Sequence, residues 1–293
     1  VTTTHSMTLS TKQRLSALVV CAGLLAGCAP EAAVDPIEQA RAVNQNRSVS
    51  SKFPDHPVVM EDPYGFETSR AFFDSSETVI VVDDTVSAAL RGASVAIMTH
   101  APVLVYTPDN HRQVVEEIQR LGGHTILTVG EVLLAPARGT VQVIRDPGGM
   151  EALETMTALA FDVVEVDQPE DAVAAVVGVD EKEPVWLKAT WEEPFVGTRA
   201  DARPFPAQGP RDADMAPKVV ATPRSDLVAV INARSFGAEV SLVDNPDPVS
   251  SRDTLREMIG LADRPLLALG QEFGTEGQLA KRIRAAEERI KAE

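Results

Sequence analysis

The chain has 293 residues, of which 44% are hydrophobic, 24% charged and only 4% aromatic, a globular composition that excludes a mainly disordered or multi-span membrane protein. Lys and Arg number 27 against 43 Asp and Glu, a net charge of −16; such a surface repels phosphate backbones and excludes general nucleic-acid binding. With two cysteines no disulfide scaffold can form.

Residues 12–28 read KQRLSALVVCAGLLAGC. Lys12 and Arg14 make a basic start, and Leu15 to Leu25 is an uncharged apolar run of eleven residues. A bilayer-spanning helix needs about 20, so the run reads as the apolar region of a secretory signal. Leu25-Ala26-Gly27-Cys28 resembles the lipobox of bacterial lipoproteins. That resemblance implies a diacylglycerol thioether on Cys28, which becomes the first mature residue, and two acyl chains suffice for stable anchoring. Loss of residues 1–27 removes Lys12 and Arg14 and no carboxylate, which takes the charge from −16 to −18. Cys28 is then the one cysteine left, so an intrachain disulfide and thiolate zinc sites are excluded.

Residues 28–69 lack a sustained apolar period over 29–57 and read as a tether. The patterned chain begins at Glu77. Strands are predicted over Thr78–Val82, Pro102–Tyr106 and Thr125–Val129, with helices over Val86–Thr99 and Asn110–Leu121 between them. These fill a first unit, 70–136. A second unit, 137–190, has strands at Val141–Ile144, Val163–Val166 and Val185–Leu187, with helices over Met150–Leu159 and Asp171–Val177. Residues 191–223 hold six prolines and read as a linker or a long surface loop. A third unit, 224–293, has strands at Leu227–Ile231, Glu239–Val243 and Leu266–Leu269, a helix over Arg252–Leu261 and a charged helix from Glu276. Strands alternating with such helices predict an α/β fold of repeated βαβ units, with mainly parallel sheets in Rossmann-like or flavodoxin-like three-layer sandwiches. Ile126–Glu131 and Leu266–Gln271 echo each other, each placing Gly directly after a strand.

The stretch from Glu77 to about Leu134 resembles the type 2 cell-wall-binding repeat of Gram-positive surface proteins. The residues that carry this are the strand Val79–Val82, the turn Asp83-Asp84, the helix opening Ala88-Ala89-Leu90, Pro102 twelve residues after Leu90, and the strand ending in Gly130. The family's Asp falls on Ala88 and its second terminal Gly on Glu131. The resemblance implies a non-catalytic envelope protein that attaches to wall polymers, often through three packed repeats.

Several groups could carry chemistry. Asp83-Asp84 follows a strand, where open α/β sheets bind ligands. Paired carboxylates there could hold Ca²⁺ or act on a sugar; the same residues also suit a turn and helix cap. Trp186 and Trp191 with Glu192 and Glu193 suggest a saccharide platform or a core and loop pair. Asp146-Pro147-Gly148-Gly149 lacks a phosphate-loop spacing. His100, His111 and His124 form no zinc pattern, so no metal and no cofactor are expected. The charged helix from Glu276 could meet a polyanion or present a salt-bridged face.

The reading is a secreted, lipid-anchored protein of a Gram-positive envelope, held to the outer face of the membrane through Cys28. It is expected to be no enzyme and to bind or organise wall components, with Asp83, Asp84 and Trp191 as ligand-binding candidates. Its partner is a wall polymer or glycan, or an envelope protein. The alternatives are an envelope glycan hydrolase and a lipoprotein solute-binding receptor.

Overall fold

The computed structural model describes residues 35–135, 141–209 and 212–292. The first elements are α1 (Pro36–Asn46), β1 (Pro57–Met60), α2 (Phe66–Phe72), β2 (Thr78–Val82), α3 (Val86–Thr99) and β3 (Val103–Val105). There follow α4 (His111–Leu121), β4 (Thr125–Val129), β5 (Gln142–Arg145), α5 (Gly149–Thr157), β6 (Asp162–Val166), α6 (Ala172–Val177) and β7 (Val185–Ala189). The chain ends with β8 (Lys218–Ala221), α7 (Leu227–Phe236), β9 (Val240–Leu242), α8 (Arg252–Met258), β10 (Leu266–Leu269) and α9 (Glu276–Ala292).

Every strand pairing among the described residues is parallel. The fold is α/β, built from βαβ units in a three-layer arrangement. Two four-stranded sheets have the orders β3-β2-β4-β5 and β1-β10-β8-β9, and β6-β7 forms a two-stranded sheet. The run β2-α3-β3-α4-β4 and the run β8-α7-β9-α8-β10 therefore share one topology: the first strand sits between the second and the third. The register agrees too, because Val82 lies opposite Val129 and Ala221 opposite Leu269. Each third strand ends in a glycine of positive φ, Gly130 at 82° and Gly270 at 118°. The echo between Ile126–Glu131 and Leu266–Gln271 is thus a structural equivalence.

The two helices that follow the first strands, α3 and α7, pack against each other at the centre. They are apolar on nearly all sides because they are buried on nearly all sides. Each also covers a neighbouring sheet: α3 lies on β7 and α7 on β3, while α6 reaches α7 and β9. Polar side chains on these helices close the adjoining strand edges. The Ser94 hydroxyl of α3 accepts from Leu187 N–H of β7 at 2.9 Å. The Asn232 amide of α7 accepts from Val103 N–H at 2.7 Å and donates to Val103 O at 3.0 Å. Gly65 also meets β3 there. It has φ 81°, and a Cβ on it would lie 2.4 Å from Val103 O, so only glycine fits.

Three expectations are corrected. Residues 35–69 are folded rather than a tether: α1 packs on α8, and β1 adds a fourth strand beside β10. A four-residue edge strand is too short to show a period, and its partner lies about 200 residues away along the chain. Residues 191–223 are neither a linker nor wholly loop. Asp201, Phe205 and Gln208 donate backbone bonds to Arg145, Met156 and Thr99, and β8 lies at Lys218–Ala221. Leu227–Ile231 is helix rather than strand. A short, fully apolar run does not distinguish a buried strand from a buried helix; the packing of α7 on α3 decides it. The described residues from Asp35 onward consequently belong to one compact body rather than to separate units joined by a linker. The lipidation candidate Cys28 lies outside the described residues.

Candidate functional site

A cleft of about 310 Å³ opens at the carboxyl ends of β2 and β3 beside the start of α7, lined among others by Tyr64, Asp83, Asp84, Thr107, Asp226 and Val228. This is where parallel sheets present ligands, and it contains both members of the Asp83-Asp84 pair. The two carboxylates differ sharply in state. Asp83 is buried. Its Oδ1 accepts from Thr85 N–H at 3.0 Å and from the Thr85 hydroxyl at 2.6 Å, and its Oδ2 accepts from Glu131 N–H at 2.8 Å. Thr85 in turn caps α3 by accepting from Ala88 N–H at 3.2 Å. Asp83 therefore ties the end of β2 to the end of β4 and starts the central helix. A Cβ at Gly130 would lie 2.0 Å from its Oδ2, so the glycine is required by this carboxylate. Glu131 contributes its backbone to that contact. Asp84 points to solvent and is the carboxylate of the pair left open to a ligand.

The cleft also contains a group that residue patterns did not reveal. Asp226, half-buried at the start of α7, accepts from Asp62 N–H at 2.7 Å. Asp62 is buried and accepts from Thr68 N–H at 2.7 Å and its hydroxyl at 2.6 Å. Burial pushes the Asp226 carboxyl above its ordinary pKa. Nearby Glu61, Asp62 and Glu272 push the same way, and the Asp62 amide opposes them without prevailing. Ser225-Asp226 before an apolar run is a helix-cap signal, masked because that run reads as a strand.

The raised pKa has a definite sign. The folded protein holds this proton more tightly than the unfolded chain does. Its contribution is full below the unfolded value of roughly 3.9 and is lost as pH rises through the folded value. Asp226→Asn is therefore expected to be more stable than the parent at pH 7, with the advantage vanishing below about pH 4. Urea titrations of both proteins at several pH values measure this; an advantage that grows on acidification contradicts it.

The remaining candidates lie apart from the cleft. Trp191 follows β7 and is 37% exposed, with Glu192 and Glu193 exposed beside it; it does not line the cleft. Trp186 has a packing role, with the Arg91 guanidinium 5.1 Å and the Lys188 ammonium 5.4 Å from its ring centre. Asp146 is buried and binds Arg91, while Gly148 N–H donates to it at 3.0 Å, so the Asp146–Gly149 turn is internal structure. His100 Nδ1 lies 3.1 Å from Ser235 O, and His111 meets Tyr106 edge-on. No group of three potential ligands could hold a metal among the described residues. The basic face of α9 is largely solvent-exposed, and three of its arginines have partners within the protein: Arg284 pairs with Asp263, Arg282 donates to Phe273 O and Arg289 to Val249 O.

No helix of the described residues is long and apolar enough to cross a membrane. No family model matches the chain, and neither a curated protein nor a solved structure matches it.

Proposed function

We propose that the protein is a non-catalytic, lipid-anchored envelope protein that binds or organises cell-wall components through its α/β units. The observation that supports this reading is the state of Asp83, whose two carboxylate oxygens both serve the fold. The cleft then offers Asp84 and Asp226 at a surface whose overall charge is strongly negative. A polyanionic polymer is repelled by that charge unless a cation bridges it; a neutral glycan or a protein partner is not.

The test is co-sedimentation of the full chain, in mild detergent, with intact and with polymer-stripped walls, with and without Ca²⁺. Retention on intact walls alone supports a polymer ligand, and dependence on Ca²⁺ identifies cation bridging. Absence of retention on both preparations counts against wall binding. Cys28→Ala is expected to move the protein from the detergent phase to the aqueous phase in cloud-point partition, since the anchor rests on two acyl chains. A variant that stays in the detergent phase contradicts the lipidation reading.

A second reading, an envelope glycan hydrolase, is favoured by one observation: Asp226, its pKa raised by burial, lines the same cleft as Asp84, and acid–base hydrolysis uses two carboxyl groups in one cleft. Release of reducing ends from wall glycan, abolished by Asp226→Asn, would establish it. The receptor alternative is opposed by the buried contact of α3 with α7, which leaves no hinged lobes at the centre.

A further inference from the structure

The protein's charge is concentrated in the middle of the chain. Residues 149–193 contain twelve Asp and Glu against two Lys, a net −10 out of −16. Five of these carboxylates, Asp162, Glu165, Asp167, Glu170 and Asp171, lie on β6 or just after it, and all are exposed. Lys188, opposite Glu165 on the paired strand, is engaged elsewhere, with Glu193 at 3.8 Å and the Trp186 ring.

β6 is also the most exposed strand among the described residues. Its first four residues are exposed, Val163 at 47% and Val164 at 40%. Asp162 N–H donates to Pro184 O at 3.1 Å and Thr190 N–H to Val166 O at 3.0 Å. Alternation along the strand then turns the backbone groups of Val163 and Glu165 away from β7. Among the described residues no strand pairs with β6 on that side. The contrast with β3 and β7 is direct, since Asn232 and Ser94 close the outer edges of those strands. A two-stranded sheet is also marginal without further partners.

We infer that the outer edge of β6 is a strand-addition site for an extended cationic segment of a partner protein, one that alternates Lys or Arg with apolar residues. Main-chain bonds to Val163 and Glu165 supply affinity, Val163 and Val164 supply apolar contact, and the carboxylates select the sign of charge. A second copy of this chain fits poorly. Pairing β6 with β6 would crowd Asp162, Glu165 and Asp167 of both copies, the device by which edge strands avoid self-association. The inference stands independently of wall binding, because its ligand is a peptide and its site is remote from the Asp84 cleft by sequence and by sheet.

The test uses the full chain in detergent and a fluorescent peptide of about ten residues alternating Lys and Val. Controls are the same peptide with Glu for Lys, and one with two central prolines. Anisotropy should show binding of the Lys–Val peptide that weakens with salt, with neither control binding. Hydrogen exchange should show new protection at Val163 and Glu165. Val163→Pro removes one outward N–H at an edge position where proline is tolerated, and it is expected to weaken binding at least tenfold. Should that variant misfold, Glu165→Lys with Asp167→Lys provides the second arm, with the same loss expected. Failure of the Lys–Val peptide to bind overturns the proposal. So does binding unchanged in both variants, or equal binding of the proline peptide, either of which would reveal unspecific attraction to the acidic surface. Dimerisation of the chain through β6 would overturn it as well.

Discussion

Arg91→Ala is expected to cost about 3–5 kcal/mol of folding stability, the range for removing one partner of a buried ion pair. Arg91 lies on α3 at 1% exposure. Its Nε donates to Asp146 Oδ2 at 2.8 Å and its Nη2 to Asp146 Oδ1 at 3.0 Å, a two-pronged match that a lysine could not reproduce. Nη1 has no hydrogen-bond partner among the described residues, so Asp146 and the Trp186 ring position the group. Truncation would strand the Asp146 carboxylate inside the protein and remove the guanidinium that lies over Trp186. That contact joins β7 to the central helix, so the loss should be accompanied by faster hydrogen exchange in β6 and β7. Arg91→Met with Asp146→Asn should recover most of the stability, because no buried charge then remains and Gly148 N–H keeps its acceptor. Urea denaturation of the three proteins decides the matter. A single variant within about 1 kcal/mol of the parent would show that the pair contributes little.

Asn232→Ala is expected to be the next most damaging change, at about 3–4 kcal/mol, since each buried polar group left unpaired costs about 1–3. Asn232 is fully buried on α7. Besides its two bonds to Val103, its Nδ2 donates to Gly65 O at 3.2 Å and to the Thr68 hydroxyl at 2.9 Å. One side chain thus joins the edge of β3, the start of α2 and the central helix, and it stands where a further strand would otherwise pair with β3. Asn232→Asp should rescue nothing. A carboxylate can still accept from Val103 N–H, but it faces the carbonyls of Val103 and Gly65 that the amide had satisfied. The measurements are the urea midpoint and the exchange rate of the Val103 amide. Retention of that amide's protection in Asn232→Ala would refute the assigned role.

The elements legible from residue order are those whose signal is local. Thr78–Val82, Val86–Thr99, Thr125–Val129 and Leu266–Leu269 occur at the predicted bounds. Each combines an apolar or β-branched run with its own stop, such as Gly130 or Gly270. Asp83 was legible as a turn residue, and the structure places it there. What the pattern did not show is that its second oxygen reaches across to Glu131, a contact made by two strands 47 residues apart. Asp226 is not legible from residue order because its helix is buried on nearly all sides and has no polar face to set a 3.6-residue period. Trp191, Glu192 and Glu193 are neighbours in the chain and all exposed, but adjacency in sequence does not place Trp191 in the cleft.

The chain's order of residues suffices for the α/β class, the parallel βαβ units and the acidic balance, because these follow from short-range periodicity, turn chemistry and charge count. Folding in three dimensions settles which strands share a sheet. It brings β1, from the N-terminal part of the described chain, to the side of β10, buries α7 as a helix against α3, and leaves β6 with an edge that no strand among the described residues covers. Those outcomes depend on contacts between segments far apart in the chain, where burial free energy and backbone hydrogen bonds outweigh local preference. The site follows the same division: the Asp83-Asp84 turn is local chemistry, whereas the pairing of Asp84 with Asp226 in one cleft is the work of tertiary packing.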